Sequence, residues 1–286
     1  MILVTTAGNV GSEAARVLAN RGVPVRVLAR TPEKAAALAE LGVQVVAGSL
    51  TVPATIDAAL TDVTGVVLVS PAIPAQELNV IEGAVRAGGV GHVVKITSEA
   101  SADSPIARRR GQAAIEHALI GSGLGYTLLR SNAYMQNFLM LAPLIAATSS
   151  FASSTGDERI GMIDARDVGA VAAEIAAAPE AHAGQTYWPT GPESLSYADA
   201  AAVLSKVLGR EITFRPHSFE DDKKAMIAAG VPESVAEDNA RALGLFARGD
   251  ADYVTEDVPK LLGRPARSFE QFAADYAPAF SEKVSL

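Results

Sequence analysis

The chain of 286 residues contains no cysteine, which excludes disulfide bonds, thiolate nucleophiles and cysteine-ligated metal sites. It has only four histidines, and these are scattered without the spacing of metal ligands, so no bound metal is expected. Long apolar runs are also lacking. The longest, residues 139–147, is short and is interrupted by Pro143, so no membrane-spanning segment is predicted.

Positive charge is scarce as well, because 24 lysines and arginines face 32 acidic residues, for a net charge of −8. Such a chain lacks the basic surface that nucleic acid requires, and the short cluster Arg108-Arg109-Arg110 does not change this. The N-terminus has no basic segment of the kind that opens a signal peptide. The composition is that of a globular protein, and we expect it to be cytoplasmic, as a monomer or homodimer.

The first thirty residues carry the clearest pattern in the sequence. An apolar run, Met1-Ile2-Leu3-Val4, leads through Thr5-Thr6-Ala7-Gly8-Asn9-Val10-Gly11 into an amphipathic helical pattern, and a second apolar run follows. Strand, glycine turn, helix and strand form the unit that binds a dinucleotide, whose pyrophosphate lies at the helix N-terminus. The alternative is a plain strand-to-helix turn in which Gly8 and Gly11 serve only close packing.

Arg30 ends the second apolar run, about 20 residues after the turn, where the residue that contacts the adenosine ribose is expected. An acidic residue there suits NAD, whereas an arginine fork suits the 2′-phosphate of NADP. Arg30 therefore predicts a preference for NADP(H). The alternative is a solvated arginine ahead of the next helix.

Strand-like and helical patterns alternate through the first half of the chain and predict a parallel sheet covered on both faces. Strands are predicted at residues 2–5, 25–29, 43–47, 65–70, 92–97 and 126–129, and helices at 9–20, 32–41, 54–60, 75–87 and 107–120. Helices dominate afterwards, at 167–178, 197–208, 219–229, 233–247 and 269–276, with short strands at 186–188 and 212–214. We predict an α/β Rossmann-type doubly wound domain over 1–150. A smaller, mainly helical substrate domain over 151–286 is expected to pack on the carboxyl edge of the sheet.

Several segments together resemble the NmrA-like family of atypical short-chain dehydrogenases. They are residues 2–5 and 8–11, 68–71, 76–84, Gly91-His92-Val93-Val94-Lys95-Ile96-Thr97-Ser98, 126–137, 163–168 and 190–193. The stretch from Ser218 to Glu233 is further similar to the branch of quinone reductases and triphenylmethane dye reductases.

The resemblance implies an NADP(H) site and residues that form it. The predicted cofactor-binding residues are Thr6, Gly8, Asn9, Val10, Gly11, Arg30, Ser49, Leu50, Ser70, Pro71, Thr97 and Ser98. The chain departs from the family pattern in three places. Its glycine turn is one residue shorter and lacks the first glycine, Ser49 stands where an acid often follows Gly48, and Gln112 stands where a histidine or lysine is common.

No tyrosine in the chain has a lysine four residues later, so the couple that protonates an alkoxide in classical short-chain dehydrogenases is missing. A quinone-like or other flat conjugated acceptor needs little help from a general acid. The candidate catalytic residues are Tyr134, Asn132 and Gln112, and the candidate substrate contacts are Ala133, Met135 and Phe138. Capping and core packing are the alternatives for Asn132 and Tyr134, and packing in a helix core is the alternative for Met135 and Phe138.

Two functions follow from the sequence. The first is an NADPH-dependent reductase of a small-molecule conjugated acceptor. The second is a non-enzymatic NADP(H)-binding redox sensor that regulates a partner protein.

Overall fold

The computed structural model describes residues 1–70 and 73–281. Contacts divide these residues into two compact units. Unit 1 comprises Met1–Ser131, Ala165–Pro189 and Pro259–Arg264, and unit 2 comprises Asn132–Asp164, Thr190–Val258 and the chain from Pro265 onward.

The strands found in the described residues are β1 (Ile2–Val4), β2 (Val25–Ala29), β3 (Gln44–Ala47), β4 (Gly65–Leu68), β5 (His92–Thr97), β6 (Gly125–Arg130), β7 (Ser150–Ser153), β8 (Thr186–Tyr187) and β9 (Thr213–Pro216). The helices are α1 (Asn9–Asn20), α2 (Ala36–Ala39), α3 (Pro53–Ala59), α4 (Pro74–Ala87), α5 (Ala107–Gly121), α6 (Asn137–Thr148), α7 (Ala165–Ala177), α8 (Tyr197–Leu208), α9 (Phe219–Ala228), α10 (Glu233–Phe246), α11 (Asp257–Leu262), α12 (Phe269–Asp275) and α13 (Ala277–Ser281). Short 3₁₀ helices lie at Pro32–Ala35 and Pro179–His182.

Unit 1 is built on a parallel sheet that, in the described residues, has seven strands in the order β3-β2-β1-β4-β5-β6-β8. Strands β1, β2, β4 and β5 are buried along their whole length, as expected for a parallel sheet with helices on both faces. The strand order reverses between β1 and β4, which is the topological switch point where ligands bind in this architecture. The predicted Rossmann-type fold is confirmed.

The units do not follow the predicted division at residue 150, because the chain returns to unit 1 after Asp164. Helix α7 is buried along most of its length and packs on α1, so closely that a Cβ on Gly169 would lie 2.7 Å from the carbonyl oxygen of Val10. Strand β8 then pairs in parallel with β6, with Leu128 opposite Thr186. Residues 165–189 therefore complete the parallel sheet of unit 1 and do not belong to the second unit.

Unit 2 is mainly helical around an aromatic core. Phe138 lies at its centre, with ring centroids 5.5 Å from Phe151, 5.0 Å from Tyr197 and 4.9 Å from Phe269. Strands β7 and β9 form a small parallel pair, and β7 and α6 are elements that the sequence did not predict. In the part of the chain that the structure describes, no helix is long and apolar enough to cross a membrane and no group of side chains could hold a metal ion.

Candidate active site

The glycine turn of unit 1 connects β1 to the N-terminus of α1. Gly8 is the residue that precedes the helix, and its backbone is extended, with φ −77° and ψ −176°. Gly8 has no side chain with which to cap this helix end, and the first turn of α1 carries no acidic residue. The first amide groups of α1 and the positive end of its dipole are therefore suited to an anionic group.

The two glycines of the turn are needed for different reasons. A Cβ on Gly11 would lie 2.0 Å from the carbonyl oxygen of Thr6, an overlap that only glycine avoids. A Cβ on Gly8 would meet only the Thr6 hydroxyl oxygen, at 3.9 Å, so the space beside Gly8 is open within the described residues. Gly11 holds the tight turn and Gly8 leaves room beside it, which fits the pyrophosphate of a dinucleotide.

Thr5 joins the two strands of the switch point just beyond their ends. Its buried hydroxyl donates to the carbonyl oxygen of Val69 at 2.6 Å and accepts from the Val69 amide at 2.9 Å. The next residue of this strand end, Ser70, therefore lies beside the glycine turn, at the predicted nicotinamide side. Pro71, its predicted neighbour in the site, lies outside the described residues.

Arg30 directly follows β2 and is exposed, at the carboxyl edge of the sheet where it was predicted. The adjacent Ser49 turn is fixed internally. The Ser49 amide donates to the Thr55 hydroxyl oxygen at 3.0 Å, and that hydroxyl donates to the Ser49 carbonyl at 2.9 Å. Leu50 is buried and its carbonyl accepts from the side-chain amide of Asn79 at 2.9 Å. The adenine contacts of Ser49 and Leu50 stay a prediction.

At the end of β5 the structure brings together two predicted residues, Thr97 and Gln112. The Thr97 hydroxyl is 3.0 Å from Gln112 Oε1, 3.1 Å from Glu116 Oε1 and 3.1 Å from the carbonyl oxygen of Ser98. Thr97 and Gln112 are both buried. This hydroxyl is thus surrounded by acceptors of its own unit, which fixes the start of the loop that contains Ser98.

Glu116 extends this network through residues that sequence reasoning did not select. Its carboxylate accepts two hydrogen bonds from Arg130, at 3.2 Å and 2.5 Å, as a bidentate pair. The Arg130 guanidinium lies 5.1 Å from the ring centroid of Trp188, within the range of a cation–π contact. The network anchors β6 and the segment after β8 to α5.

A second group that sequence reasoning missed lies beneath the switch point. Lys95 of β5 and Glu77 of α4 are both fully buried, and Lys95 Nζ is 2.7 Å from Glu77 Oε2. Burial lowers the pKa of the Lys95 ammonium, and the charges of Glu77 and Glu116 partly oppose that shift. The signal was present in the sequence, because a lysine inside the apolar strand 92–97 needs a buried partner.

The predicted residues of unit 2 are held in a network of their own. The Asn132 side-chain amide donates to the carbonyl oxygen of Ala251 at 3.0 Å, and its oxygen accepts from the Ala133 amide at 2.7 Å. Tyr134 is half-buried and pairs with Ile163 in an isolated parallel bridge. Asn132 therefore shapes the backbone on which Ala133 and Tyr134 lie.

Met135 and Phe138, the predicted substrate contacts, are almost completely buried in the core of unit 2. A Cβ on Gly191 would lie 3.2 Å from Met135 Cε, which shows how closely that side chain is covered. Packing in the core of unit 2 accounts for the burial of both residues, and their contact with a substrate stays a prediction. Ala133 is only partly buried, and its role as a substrate contact stays a prediction.

Comparisons with known proteins identify relatives along the whole chain. A profile of the NmrA-like family matches residues 1–261. An NAD(P)H azoreductase of Xenophilus azovorans is 37% identical over 286 residues, covering 98% of this chain and 99% of that protein. The NADPH-dependent quinone oxidoreductase of Escherichia coli, whose crystal structure is known in complex with NADPH, is 27% identical in sequence to this chain. It aligns with a TM-score of 0.86 over 97% of this chain and 100% of that one.

These matches confirm the resemblance drawn from the sequence segments and the Rossmann-type fold. The chain belongs to the NmrA-like family.

Proposed function

We propose that this chain, an NAD(P)H-dependent oxidoreductase, prefers NADPH and transfers a hydride to a flat conjugated acceptor of the quinone or azo class. No tyrosine–lysine couple takes part. Similarity over the whole length to a protein named an azoreductase, and to a quinone oxidoreductase bound to NADPH, supports both the cofactor and the class of acceptor.

The observation that carries the proposal is the cradle formed by the glycine turn. Gly11 permits the turn, and the space beside Gly8 is open among the residues that the structure describes. Gly8 itself offers no cap to α1, whose first turn carries no acidic residue. Thr6, Asn9 and Val10 complete this loop. Together these residues would hold the pyrophosphate of the cofactor against the positive end of a helix dipole.

Arg30 supports the preference for NADPH. It is the first residue after β2 and its side chain is exposed, so its guanidinium can reach a phosphate on the adenosine ribose. A planar guanidinium binds phosphate through two parallel hydrogen bonds and carries a full positive charge at neutral pH. An acidic residue at this place would instead favour NADH.

The bound nicotinamide would supply the hydride, and the chain would supply position and polarity. A quinone that has accepted a hydride becomes an anion whose negative charge is delocalised over an oxygen and the conjugated ring. Water can therefore provide the proton. Thr97 and Asn132 are engaged in hydrogen bonds within their own units and act in this proposal as supports for the backbone. Tyr134 is the candidate hydrogen-bond donor to the reduced acceptor.

The proposal is tested in two steps with the full-length chain. NADPH and NADH are first titrated by calorimetry, and NADPH oxidation is then followed with a quinone, an azo dye and an unconjugated ketone as control. We expect binding of NADPH and turnover of the conjugated acceptors alone. Tight NADPH binding without turnover of any conjugated acceptor would refute the catalytic proposal, and failure to bind NADPH would refute the cofactor site.

A further inference from the structure

The buried ion pair between Lys95 and Glu77 has no part in the hydride transfer proposed above, yet Lys95 lies opposite Leu68, the last residue of β4. Lys95 occupies the middle of β5, between Val94 and Ile96, and both members of the pair are fully shielded from solvent. Lys95 also donates to the carbonyl oxygen of Ile96.

Stability alone does not explain this pair. Removing two charges from water costs several kcal/mol for each ion, and apolar residues of similar size in place of a buried pair are often neutral or stabilising. Lys95 lies opposite Leu68 of β4 and Leu128 of β6, so an apolar side chain would suit this position. A purpose beyond packing is therefore indicated.

The second oxygen of Glu77 points to that purpose. Glu77 Oε1 accepts a hydrogen bond of 2.5 Å from the hydroxyl of Ser70, whereas Oε2 makes the charge contact with Lys95. Ser70 is the donor in this hydrogen bond, so its single hydroxyl proton is directed toward Glu77. The Ser70 oxygen is then restricted to accepting.

Ser70 is placed where a ligand of this fold binds. It follows Val69, which the Thr5 hydroxyl ties to the end of β1 at the point where the strand order reverses. It is half-buried, unlike the fully buried residues of the ion pair beneath it. The chain Lys95–Glu77–Ser70 thus runs from the core of the sheet to the crevice.

We propose that Lys95 and Glu77 are positioning residues that fix the Ser70 hydroxyl, so that its oxygen accepts a hydrogen bond from a ribose hydroxyl on the nicotinamide side of the cofactor. This inference rests on the proposed function, because it takes the dinucleotide as the ligand of the crevice. Lys95 holds one oxygen of Glu77 at 2.7 Å, and the other Glu77 oxygen keeps the Ser70 proton turned inward.

The test compares three changes by calorimetric titration of NADPH and by thermal unfolding. The first variant, Ser70→Ala, removes the hydrogen-bond acceptor. The second, Lys95→Met with Glu77→Leu, replaces the ion pair by apolar side chains. The third carries all three substitutions. We expect Ser70→Ala and the apolar pair each to weaken NADPH binding about three- to tenfold, the range for one hydrogen bond. Their combination should cause no further loss, because all three residues act through the same contact.

Two controls separate positioning from a structural role. Lys95→Met with Glu77→Gln keeps an acceptor for Ser70 without charge, and it should recover most of the affinity. The fragment 2′-phosphoadenosine 5′-diphosphate lacks the nicotinamide ribose, so all variants should bind it as the wild type does. Replacing the exposed pair Arg86–Asp57, which are 2.8 Å apart, by glutamine and asparagine should change neither measurement.

Several results would overturn the inference. They are a folded apolar variant with wild-type affinity for NADPH, additive losses in the combination, or equal weakening of the fragment and of NADPH. Failure of both double variants to fold would assign the pair a purely structural role. If the wild type does not bind NADPH, the proposed function itself is wrong. If the wild type binds NADPH and these variants bind it equally well, the proposed function stands and only the positioning role is wrong.

Discussion

Arg30 is the residue on which the proposed preference for NADPH depends. Arg30→Ala should weaken NADPH binding at least about tenfold, because a charge-assisted hydrogen bond contributes about 1.5–3 kcal/mol. NADH has no phosphate on the adenosine ribose, so its affinity should hardly change. Calorimetric titration of both cofactors checks this, and equal losses for NADPH and NADH would show that Arg30 does not contact the 2′-phosphate.

His92 predicts a pH dependence of stability. It is buried at the start of β5, its Nε2 lies 2.9 Å from the Thr127 hydroxyl oxygen, and burial lowers its pKa. Glu180 partly opposes the shift and His182 adds to it. Between its lowered pKa in the folded chain and about pH 6.5, the ordinary histidine value, His92 binds a proton in the unfolded chain but not in the folded one, so stability is lost as the pH falls through this range.

His92→Gln should remove this titration and keep an amide near Thr127. The free energy of unfolding of the wild type, minus that of the variant, should therefore decrease as the pH is lowered from about 7.5 to about 5.5. Urea unfolding at several pH values measures the difference. A difference that stays constant or grows toward low pH would contradict the lowered pKa.

At the residue scale, the sequence predicted the positions of residues that are close together along the chain. It did not predict contacts between residues that are far apart along the chain. Gly8, Gly11 and Arg30 lie within one strand–helix–strand unit, so their spacing alone predicted where the structure places them. Lys95 and Glu77 belong to different elements and become partners only when β5 and α4 pack together. A sequence shows that a charged residue in a buried strand requires a partner, but not which residue provides it.

At the element scale the glycine turn separates folding from binding. Gly8→Val should leave the midpoint of thermal unfolding nearly unchanged, because a Cβ there meets only Thr6 Oγ1 at 3.9 Å. It should nevertheless abolish most NADPH binding, since the side chain occupies the cradle. Gly11→Ala should instead lower the melting temperature by several degrees, because its Cβ overlaps the Thr6 carbonyl oxygen.

Thermal unfolding and NADPH titration of the two variants check this contrast. An unchanged affinity in Gly8→Val would show that the turn does not hold the pyrophosphate, whatever the result for Gly11→Ala. The same titration of the wild type tests whether the shortened turn binds weakly, as its missing first glycine predicts. Sub-micromolar affinity would refute that expectation.

Elements with a strong local pattern were predicted, and those that depend on distant packing were not. The apolar runs of β1, β2, β4 and β5 marked buried parallel strands. Helix α6 contains Pro143, which reads as a helix breaker in sequence, and the short strand β7 is defined by its pairing with β9. The return of α7 to α1 depends on the contact of Gly169 with Val10, which no local pattern encodes.

At the scale of the whole molecule, the regular alternation of strands and helices was enough to predict the parallel sheet and its switch point. The boundary between the units was not, since the chain leaves unit 1 after Ser131 and returns at Ala165. A prediction that assigns each unit one continuous segment fails for any fold in which a later helix and strand complete an earlier sheet.

The proposed mechanism is tested with one candidate residue from each unit, Gln112 of unit 1 and Tyr134 of unit 2. A general acid typically contributes about 10²–10⁴-fold to a rate, so the loss of an essential one would be obvious. We expect Tyr134→Phe and Gln112→Ala each to change the turnover number for a quinone by less than about tenfold. The conjugated acceptor stabilises the charge that it receives, and Gln112 cannot titrate.

Steady-state kinetics with saturating NADPH measures the turnover number of each variant, with cofactor affinity determined separately. A thousandfold loss in Tyr134→Phe with intact NADPH binding would instead identify Tyr134 as the proton donor.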